Sequence, residues 1–184
     1  GYYGNQGDKL VTEETPPHNE FTHELCAKWE TIAQSVDQAK TRVVTLRTGV
    51  VFTEKGGALG KMALPFKLGA GGTLGSGSQY LAWIHLQDMV RAISFLLENS
   101  ACSGAFNLTA PKPVTNKMFS KALAKSLNRP CLFNVPGFVM KVAMGESSTM
   151  ILEGQRVIPQ KLTTAGFSFD FRSIDEALRE IYRA

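Results

Sequence analysis

Apolar residues recur along the chain in two spacings, one typical of strands and the other typical of helices. Residues 42–52 form a nearly continuous β-branched run, which predicts a strand buried on both faces, as in a parallel sheet. Residues 21–39 place apolar side chains three and four positions apart, and this spacing predicts a helix with one apolar face. Because strands and helices alternate along the chain, the pattern indicates an α/β architecture.

A glycine-dense loop at residues 69–77 leads into the short apolar run from Leu81 to Leu86 and then into a helix. That helix is predicted to run from Asp88 to Asn99, with the Asp88 carboxylate as its N-cap. Glycines let the backbone approach another surface closely, and α/β domains commonly present a ligand crevice after such a loop. A solvated loop between two ordinary elements is the alternative interpretation.

The remaining elements are predicted from the same spacings and from turn residues. A charge inside a strand needs a partner, so Arg47 is expected either to have one or to lie at the exit of its strand. Further predictions are a short helix interrupted at Pro65, a strand at 105–109, and a helix with Phe119, Leu123 and Leu127 on its buried face. Toward the end come helical pieces between 137 and 165, a half-buried strand at 166–171, and a final helix from Ser173 to Tyr182 with a Ser173–Glu176 capping box.

Composition limits the class of protein. The 184 residues are 43% hydrophobic and 20% charged, values typical of a soluble globular protein. No apolar run reaches the ~20 residues that cross a bilayer, so no membrane span is expected. The basic residues that give a net charge of +4 are spread along the chain, which argues against nucleic-acid binding. The three cysteines are scattered, which argues for reduced thiols in the cytoplasm and against a metal site; they are Cys26, Cys102 and Cys131.

Several short motifs, taken in order, resemble one protein family. The segments LRTGVVF, WIHLQDMVRAI and GAFNLTAP, with the glycine loop between the first two, resemble the C-terminal half of extended short-chain dehydrogenases/reductases. The segments GYYG, KWE, GGALGKM and LEGQRVIPQKL resemble one atypical branch, the NAD(P)-dependent epimerase-like family once labelled cell-division-inhibitor-like. Each motif is short, but together they span nearly the whole chain in a consistent order.

The resemblance implies the C-terminal portion of a Rossmann-type parallel-sheet domain and a small, mostly helical domain on the substrate side. Residues 1–110 would form the first, with a glycine-rich insertion at about 53–80, and residues 111–184 the second. No strand followed by a phosphate-binding glycine fingerprint precedes a helix here. The first βαβ units are therefore expected upstream of Gly1, and that upstream half is an expected partner, with a homodimer also compatible.

The resemblance also implies a catalytic Tyr-Lys pair that this chain lacks. In the superfamily the tyrosine exchanges a proton with the substrate, while the lysine lowers the phenol pKa and holds the ribose. Alignment on Glu30 puts Thr22 in the tyrosine slot and Cys26 in the lysine slot, and neither residue can do that chemistry. Tyr2 or Tyr3 is the candidate that could supply a phenol instead, because GYYG follows the strand that carries the superfamily's Ser/Thr.

The expected cofactor is NADP, with NAD as the alternative. The choice between the two stays open, because the residues that determine it follow the second strand of the fold and are expected upstream. Its nicotinamide end is expected at the exit of the long strand, where Gly49, Val50 and Val51 are the candidate cofactor-binding residues.

Related sugar-nucleotide epimerases clamp a diphosphate with an arginine at the position of Leu81 in this chain. The residues around it, Tyr80 and Trp83, suit a less charged ligand, so they are candidate substrate-binding residues together with His85. A structural role is the alternative for His85, since a histidine on a short buried strand is usually hydrogen-bonded scaffold.

The function that the resemblance implies is an NAD(P)-dependent oxidoreductase or epimerase acting on an unknown small carbonyl or alcohol. Loss of the Tyr-Lys pair leaves open whether the protein turns substrate over. A non-catalytic NADP(H)-binding sensor or regulatory scaffold is therefore the alternative.

Overall fold

A computed structural model gives the fold of residues 1–37, 39–54, 56–138, 142 and 153–183. The strands are β1 (Gly7–Val11), β2 (Val44–Thr48), β3 (Val50–Phe52), β4 (Gly72–Leu74), β5 (Tyr80–Leu81), β6 (Trp83–His85), β7 (Gly104–Leu108), β8 (Val114–Thr115), β9 (Phe133–Val135) and β10 (Gln155–Val157). The helices are α1 (Phe21–Gln34), α2 (Gly57–Lys67), α3 (Leu86–Glu98), α4 (Asn116–Ser126), α5 (Gln160–Thr164) and α6 (Ile174–Ile181). None of these helices is long and apolar enough to cross a bilayer.

Most strand pairs are parallel, which confirms the predicted α/β class. Strand β2 pairs in parallel with β7, from Val44 opposite Gly104 to Thr48 opposite Leu108. The pairs β1–β10, β3–β6 and β4–β9 are parallel as well, while the short β5 and β8 are antiparallel. Parallel strands need long connections between them, and helices supply several of these connections.

The single strand predicted at 42–52 is wrong, because the chain changes neighbours at Gly49. The Gly49 N–H donates to Leu108 O at 3.0 Å, which still belongs to the β7 side. The next amide, that of Val50, donates to Ala82 O at 2.8 Å, on the β6 side. A Cβ at Gly49 would lie 2.9 Å from Ala82 O, so this switch between neighbours needs glycine.

Two hydrophobic clusters form most of the core. The first joins Phe52 and Trp83 to Phe119, Leu123 and residues of α6. The second contains Ile84, Leu96, Phe106, Leu108, Leu162, Phe167 and Phe169. Both clusters combine residues from before and after position 110, so the predicted second domain shares its core with the first, and the boundary itself stays a prediction.

Two predictions near the carboxylate of Asp88 are wrong for one shared reason. The N-cap of α3 is His85, whose side chain accepts from the Gln87 N–H, and Asp88 lies inside the first turn. Asp88 is fully buried and accepts from the Asp170 and Phe171 N–H groups, each at 2.9 Å. Those N–H groups belong to the segment predicted as a half-buried strand, and because a carboxylate takes them, the segment forms no strand.

Other local predictions have mixed outcomes. The Ser173–Glu176 capping box and the buried Phe119 and Leu123 are confirmed. Helix α2 continues through Pro65 instead of breaking there; Pro65 is near the helix end, so only one backbone hydrogen bond is lost. The helical pieces predicted between 137 and 165 lie partly outside the described residues, and within them Gln155–Val157 is a strand.

The side of the molecule around α1 and β2 is uncovered. Within the described residues, β2 pairs with β7 alone, so its other edge is open. The apolar face of α1 exists as predicted, but no residue of the helix is buried. Its largest apolar side chains are exposed, with Trp29 63% and Phe21 78% accessible.

Candidate functional site

A cleft of about 400 Å³ lies between α1, the open edge of β2 and the first residues of the chain. The carboxyl ends of β2 and β7 meet there, and ligands of open α/β sheets bind at such strand ends. Its lining includes Gly1, Tyr2, Tyr3, Cys26, Trp29, Glu30, Ala33, Arg47, Thr48, Gly49, Ala82, Thr109, Gln155 and Val157.

Arg47 organises the polar floor of this cleft. Its guanidinium donates to both carboxylate oxygens of Glu30 at 2.8 Å, which confirms the prediction that it has a partner. It also donates to Tyr3 Oη at 3.0 Å and stacks over the Tyr2 ring, 3.3 Å from the centroid. Burial opposes the charge, but the bonds to Glu30 and Tyr3 hold the pKa of Arg47 above its ordinary value. The guanidinium therefore stays charged and fixes both tyrosines.

The phenol of Tyr3 is built into the fold. The side chain is 3% exposed, and its Oη donates to Asn107 Oδ1 at 2.7 Å while accepting from Arg47. Burial raises the pKa of Tyr3, although the bonds with Arg47 and Asn107 act against this. A phenol with two protein partners and a raised pKa is poorly suited to exchange protons with a ligand.

The network continues beyond Tyr3 through a buried carboxylate that the sequence did not single out. Glu13 accepts from the Asn107 N–H at 3.0 Å and from the Lys161 N–H at 3.2 Å. The Asn107 amide nitrogen donates to Ile158 O at 3.1 Å. These bonds connect the loop after β1, strand β7 and helix α5 into one support for the cleft floor.

Tyr2 faces the cleft in a different way. Its ring is half-buried, lies between the Arg47 guanidinium and the His23 ring, and contacts the latter edge-on at 5.0 Å. Within the described part of the chain, Tyr2 Oη has no hydrogen-bond partner, in contrast to Tyr3. Of the two predicted phenols, Tyr2 is the one free to contact a ligand.

Of the two positions aligned with the superfamily's catalytic pair, Cys26 lines the cleft and Thr22 does not. A Cβ at Gly1 would lie 3.2 Å from Cys26 Sγ. Thr22 neighbours Gly1 as well, with Thr22 Cβ 3.6 Å from the same point. The three cysteines have no disulfide partner, as predicted.

Of the three predicted cofactor-binding residues, Gly49 alone lines the cleft. Val50 packs against the first hydrophobic cluster and Val51 against the second, one on each face of the sheet. The cofactor-binding assignment of all three residues remains a prediction, and Gly49 is the one placed where it could contact a ligand in this cleft.

The predicted substrate residues are not brought together at this cleft. Trp83 is fully buried and stacks on Phe52 with ring centroids 5.6 Å apart. His85 is buried, contacts Glu180 Oε2 through Nε2 at 3.0 Å and packs on the Phe171 ring. This placement favours the structural alternative for His85. Tyr80 is partly exposed on β5, and the substrate assignment of all three stays a prediction.

The glycine loop at 69–77 also lies away from the cleft. Gly72 belongs to β4 and pairs with Phe133, and a Cβ there would collide with the Phe133 backbone. Gly72 therefore allows the close packing of β4 against β9. Among the described residues, no group of His, Cys, Asp and Glu side chains is arranged to hold a metal ion.

Thr109 is the cleft residue that sequence reasoning missed. It follows β7 directly, is 2% exposed, and its hydroxyl is the one buried side-chain oxygen or nitrogen without a partner among the described residues. Buried polar groups nearly always have partners, so such a group needs an explanation. Only its position after a predicted strand, in the motif NLTAP, could have drawn attention to it.

Comparison with known proteins agrees with the resemblance found in the sequence. Residues 2–109 match the NAD dependent epimerase/dehydratase family, and residues 135–181 match a domain of unknown function (DUF1731). An epimerase family protein of Mycobacterium bovis is 44% identical over 179 residues, which are 97% of this chain and 60% of the relative. One from Staphylococcus aureus is 40% identical over 183 residues, covering 98% of this chain and 61% of that protein.

A solved structure agrees in fold. The crystal structure of human epimerase family protein SDR39U1 with NADPH superposes with a TM-score of 0.93 at 35% identity, over 99% of this chain and 62% of that one. The chain thus spans about 60% of the length of the curated relatives it matches. On the family match and the shared fold, the chain belongs to the NAD dependent epimerase/dehydratase family and carries the DUF1731 domain in its C-terminal part.

Proposed function

We propose that this chain is the nicotinamide and substrate side of a cytoplasmic NAD(P)-dependent oxidoreductase or epimerase of the short-chain dehydrogenase/reductase type, acting on a small carbonyl or alcohol. The observation that carries the proposal is the cleft at the carboxyl ends of β2 and β7, where Gly49, Tyr2 and the unpartnered Thr109 hydroxyl meet. Family membership and the NADPH bound to the human relative support a dinucleotide as the ligand.

The residues present suit the nicotinamide end of NADP(H), with NAD as the alternative cofactor. Ala82, Val157 and Trp29 give the cleft apolar walls for an aromatic ring, and Gly49 leaves its backbone bare. Strand β3 is followed by a loop that ends at Gly56 and then by α2, but this segment lacks the G-x-G-x-x-G spacing that cradles a pyrophosphate in dinucleotide-binding folds. When bound, the nicotinamide would supply or accept the hydride, and this chain would orient it and move the proton.

Tyr2 is the proposed proton donor. Tyr2 lines the cleft, and its hydroxyl has no hydrogen-bond partner among the described residues, whereas the Tyr3 phenol is occupied by Asn107 and Arg47. The guanidinium of Arg47 stacks on the Tyr2 ring, 3.3 Å from its centroid, and holds that ring in place at the cleft.

The open side of the molecule is proposed to receive the upstream part of the same protein. The free edge of β2 offers unpaired backbone groups, and α1 above it offers the exposed Trp29 and Phe21. The cleft runs along β2 from Val44 to Thr48. A further parallel strand would pair with the first residues of β2 and cover α1, and it would leave the carboxyl end of the cleft, at Gly49, for the nicotinamide. A homodimer is a second way to cover the remaining face of α1. Neither a nucleic acid nor a membrane is proposed as a partner.

A non-catalytic NADP(H)-binding sensor is the second candidate function. It is favoured by the residues at the two positions aligned with the catalytic pair, Thr22 and Cys26, neither of which can act as the missing tyrosine or lysine. In that case Tyr2 would be a binding residue, and cofactor binding would change how the protein associates with others.

The test is to titrate the full-length protein with NADPH and NADH by calorimetry and then to assay turnover on a panel of aldehydes, ketones and alcohols. The proposal expects micromolar binding, tighter for NADPH, with oxidation of NADPH by at least one carbonyl compound. Binding without turnover on the whole panel supports the sensor, and absence of binding contradicts both functions.

A further inference from the structure

We infer that the Thr109 hydroxyl is a cofactor-binding group that hydrogen-bonds the carboxamide of the nicotinamide. This inference rests on the proposed function and adds to it a residue that selects the ring end of the cofactor. The observation behind it is one buried hydroxyl without a partner at the wall of the cleft.

The backbone on both sides of Thr109 is held firmly. Leu108 O accepts from the Gly49 N–H at 3.0 Å, and the Ala110 N–H donates to Trp83 O at 2.5 Å. Thr109 is thereby fixed where β2, β6 and β7 meet, which is also where Gly49 switches between neighbours. The backbone of Thr109 is therefore fixed beside the cleft, while its side chain can still rotate about χ1.

Thr109 lies directly against the proposed nicotinamide position. Its Cγ2 methyl would be 3.1 Å from a Cβ at Gly49, so methyl and bare glycine backbone are in contact. In this conformation the hydroxyl is shielded from solvent. Hydroxyl and methyl of a threonine differ by one staggered rotation about χ1, so a ligand with a suitable partner group can bring the oxygen into the cleft.

A carboxamide is the ligand group that suits this hydroxyl best. A hydroxyl both donates and accepts, and a carboxamide offers an acceptor oxygen and a donor nitrogen, so the pair can form in either orientation. Ala82 and Val157 add apolar surface to the cleft. In a pocket of this kind a few polar groups fix the orientation of the ligand.

A purely structural role of the Thr109 hydroxyl predicts a change in stability without a change in NADPH affinity, and the test measures both. Replacing Thr109 by the isosteric valine removes an unsatisfied buried hydroxyl, which should raise the melting temperature of the ligand-free protein by about 2–4 °C. If the hydroxyl binds the carboxamide, the same change should weaken NADPH binding about fivefold to tenfold. Stability and affinity should thus move in opposite directions.

The experiment uses the full-length protein with Thr109→Val, Thr109→Ser and, as a matched exposed control, Thr163→Val. Thermal unfolding without ligand and calorimetric titration with NADPH are measured for each variant. Adenosine 2′,5′-bisphosphate, which lacks the nicotinamide, is titrated in parallel. Serine keeps the hydroxyl and should bind NADPH within about twofold of wild type, and no variant should change the affinity for the bisphosphate.

The outcomes separate this inference from the function beneath it. Equal NADPH affinity of wild type and Thr109→Val would overturn the inference and leave the proposed function standing. A lower melting temperature of Thr109→Val would show that another segment pairs with the hydroxyl, and a rise in KM for the carbonyl compound alone would assign it to substrate; either overturns the inference. Wild-type protein that fails to bind NADPH overturns the proposed function and this inference together.

Discussion

Helices α1 and α3 have similar apolar spacing in the sequence but opposite surroundings in the structure. Helix α3 buries Asp88, Ala92 and Leu96 against β6 and the segment before α6. Helix α1 buries no residue and lies over the open edge of β2. The covered side satisfies its buried carboxylate with two backbone amides and Arg91, whereas the uncovered side leaves a buried hydroxyl unpaired. The contrast distinguishes a side whose helix packs into the core from the side to which the proposed function assigns the ligand.

The largest effect is expected on the ligand side. Changing Tyr2 to Phe should lower turnover by ~10²–10⁴ with little change in NADPH affinity, because it removes the proton donor but keeps the ring over Arg47. The matched variant Tyr3→Phe should lose stability through its two broken hydrogen bonds while turnover falls less than about tenfold. Steady-state kinetics and thermal unfolding of both variants separate the two phenols; a greater loss of turnover in Tyr3→Phe would reverse the assignment.

On the covered side, Asp88→Ala should destabilise the full-length protein by about 3–5 kcal/mol, since it leaves two amides and an arginine without their buried partner. Asp170 also contacts Arg91, at 2.7 Å, but its side chain is 45% exposed, so Asp170→Ala should cost less than about 1 kcal/mol. Urea unfolding monitored by fluorescence measures both. If Asp88→Ala and Asp170→Ala lowered the free energy of unfolding equally, the buried Asp88 carboxylate would not be what stabilises the side around α3.

A comparison of residues 1–184 with the full-length protein tests whether the side around α1 and β2 receives the proposed upstream part. Residues 1–184 alone should bind NADPH at least about 100-fold more weakly than the full-length protein, because they supply the ring end of the site but no phosphate cradle. The open β2 edge should also make the isolated chain self-associate. Calorimetry and analytical ultracentrifugation report the two effects; micromolar binding by a monomeric chain would place the phosphate site within these residues.

A smaller effect is expected at Gly49, which lies between the side around α3 and the side around α1. A Cβ there would lie 2.9 Å from Ala82 O and 3.1 Å from the Thr109 methyl, so Gly49→Ala should cost about 1–3 kcal/mol through overpacking. Cofactor affinity should fall as well, because the added methyl group shifts the wall of the cleft. Gly104→Ala, in open space although at a positive φ, is a control for backbone strain without crowding. If Gly49→Ala left stability and NADPH affinity unchanged, the close approach of Gly49 to Ala82 would not matter for the cofactor site.

Predictions that depend on neighbours in sequence were met more often than those that depend on distant contacts. The capping box of α6 involves two residues three positions apart, and it is present as predicted. The need of Arg47 for a partner was also predictable, because burying an unpaired charge is costly. That the partner is Glu30, on the helix seventeen positions earlier, follows only from how α1 crosses β2.

The candidate site was less predictable for the same reason. Tyr2 and Tyr3 are adjacent and chemically identical, and only the position of Asn107 on β7 decides that Tyr3 is occupied. Trp83 and His85 are predicted to bind substrate, and the sequence did not show that β6, with all three of its residues buried, carries both; their assignment stays a prediction. Thr109 gave no signal in its own segment, since the absence of a hydrogen-bond partner is a property of everything around it.

The amino-acid sequence by itself determined the α/β class, the family and most helices, because side-chain periodicity and capping act within a few residues. The tertiary structure decided which apolar face is covered, where the long strand changes neighbours and which phenol is free. Those outcomes depend on pairs of residues far apart in sequence: Asp88 with Phe171, Gly49 with Ala82, and Tyr3 with Asn107. Burial and hydrogen-bond satisfaction are set by such pairs, so they become definite only when the chain is folded.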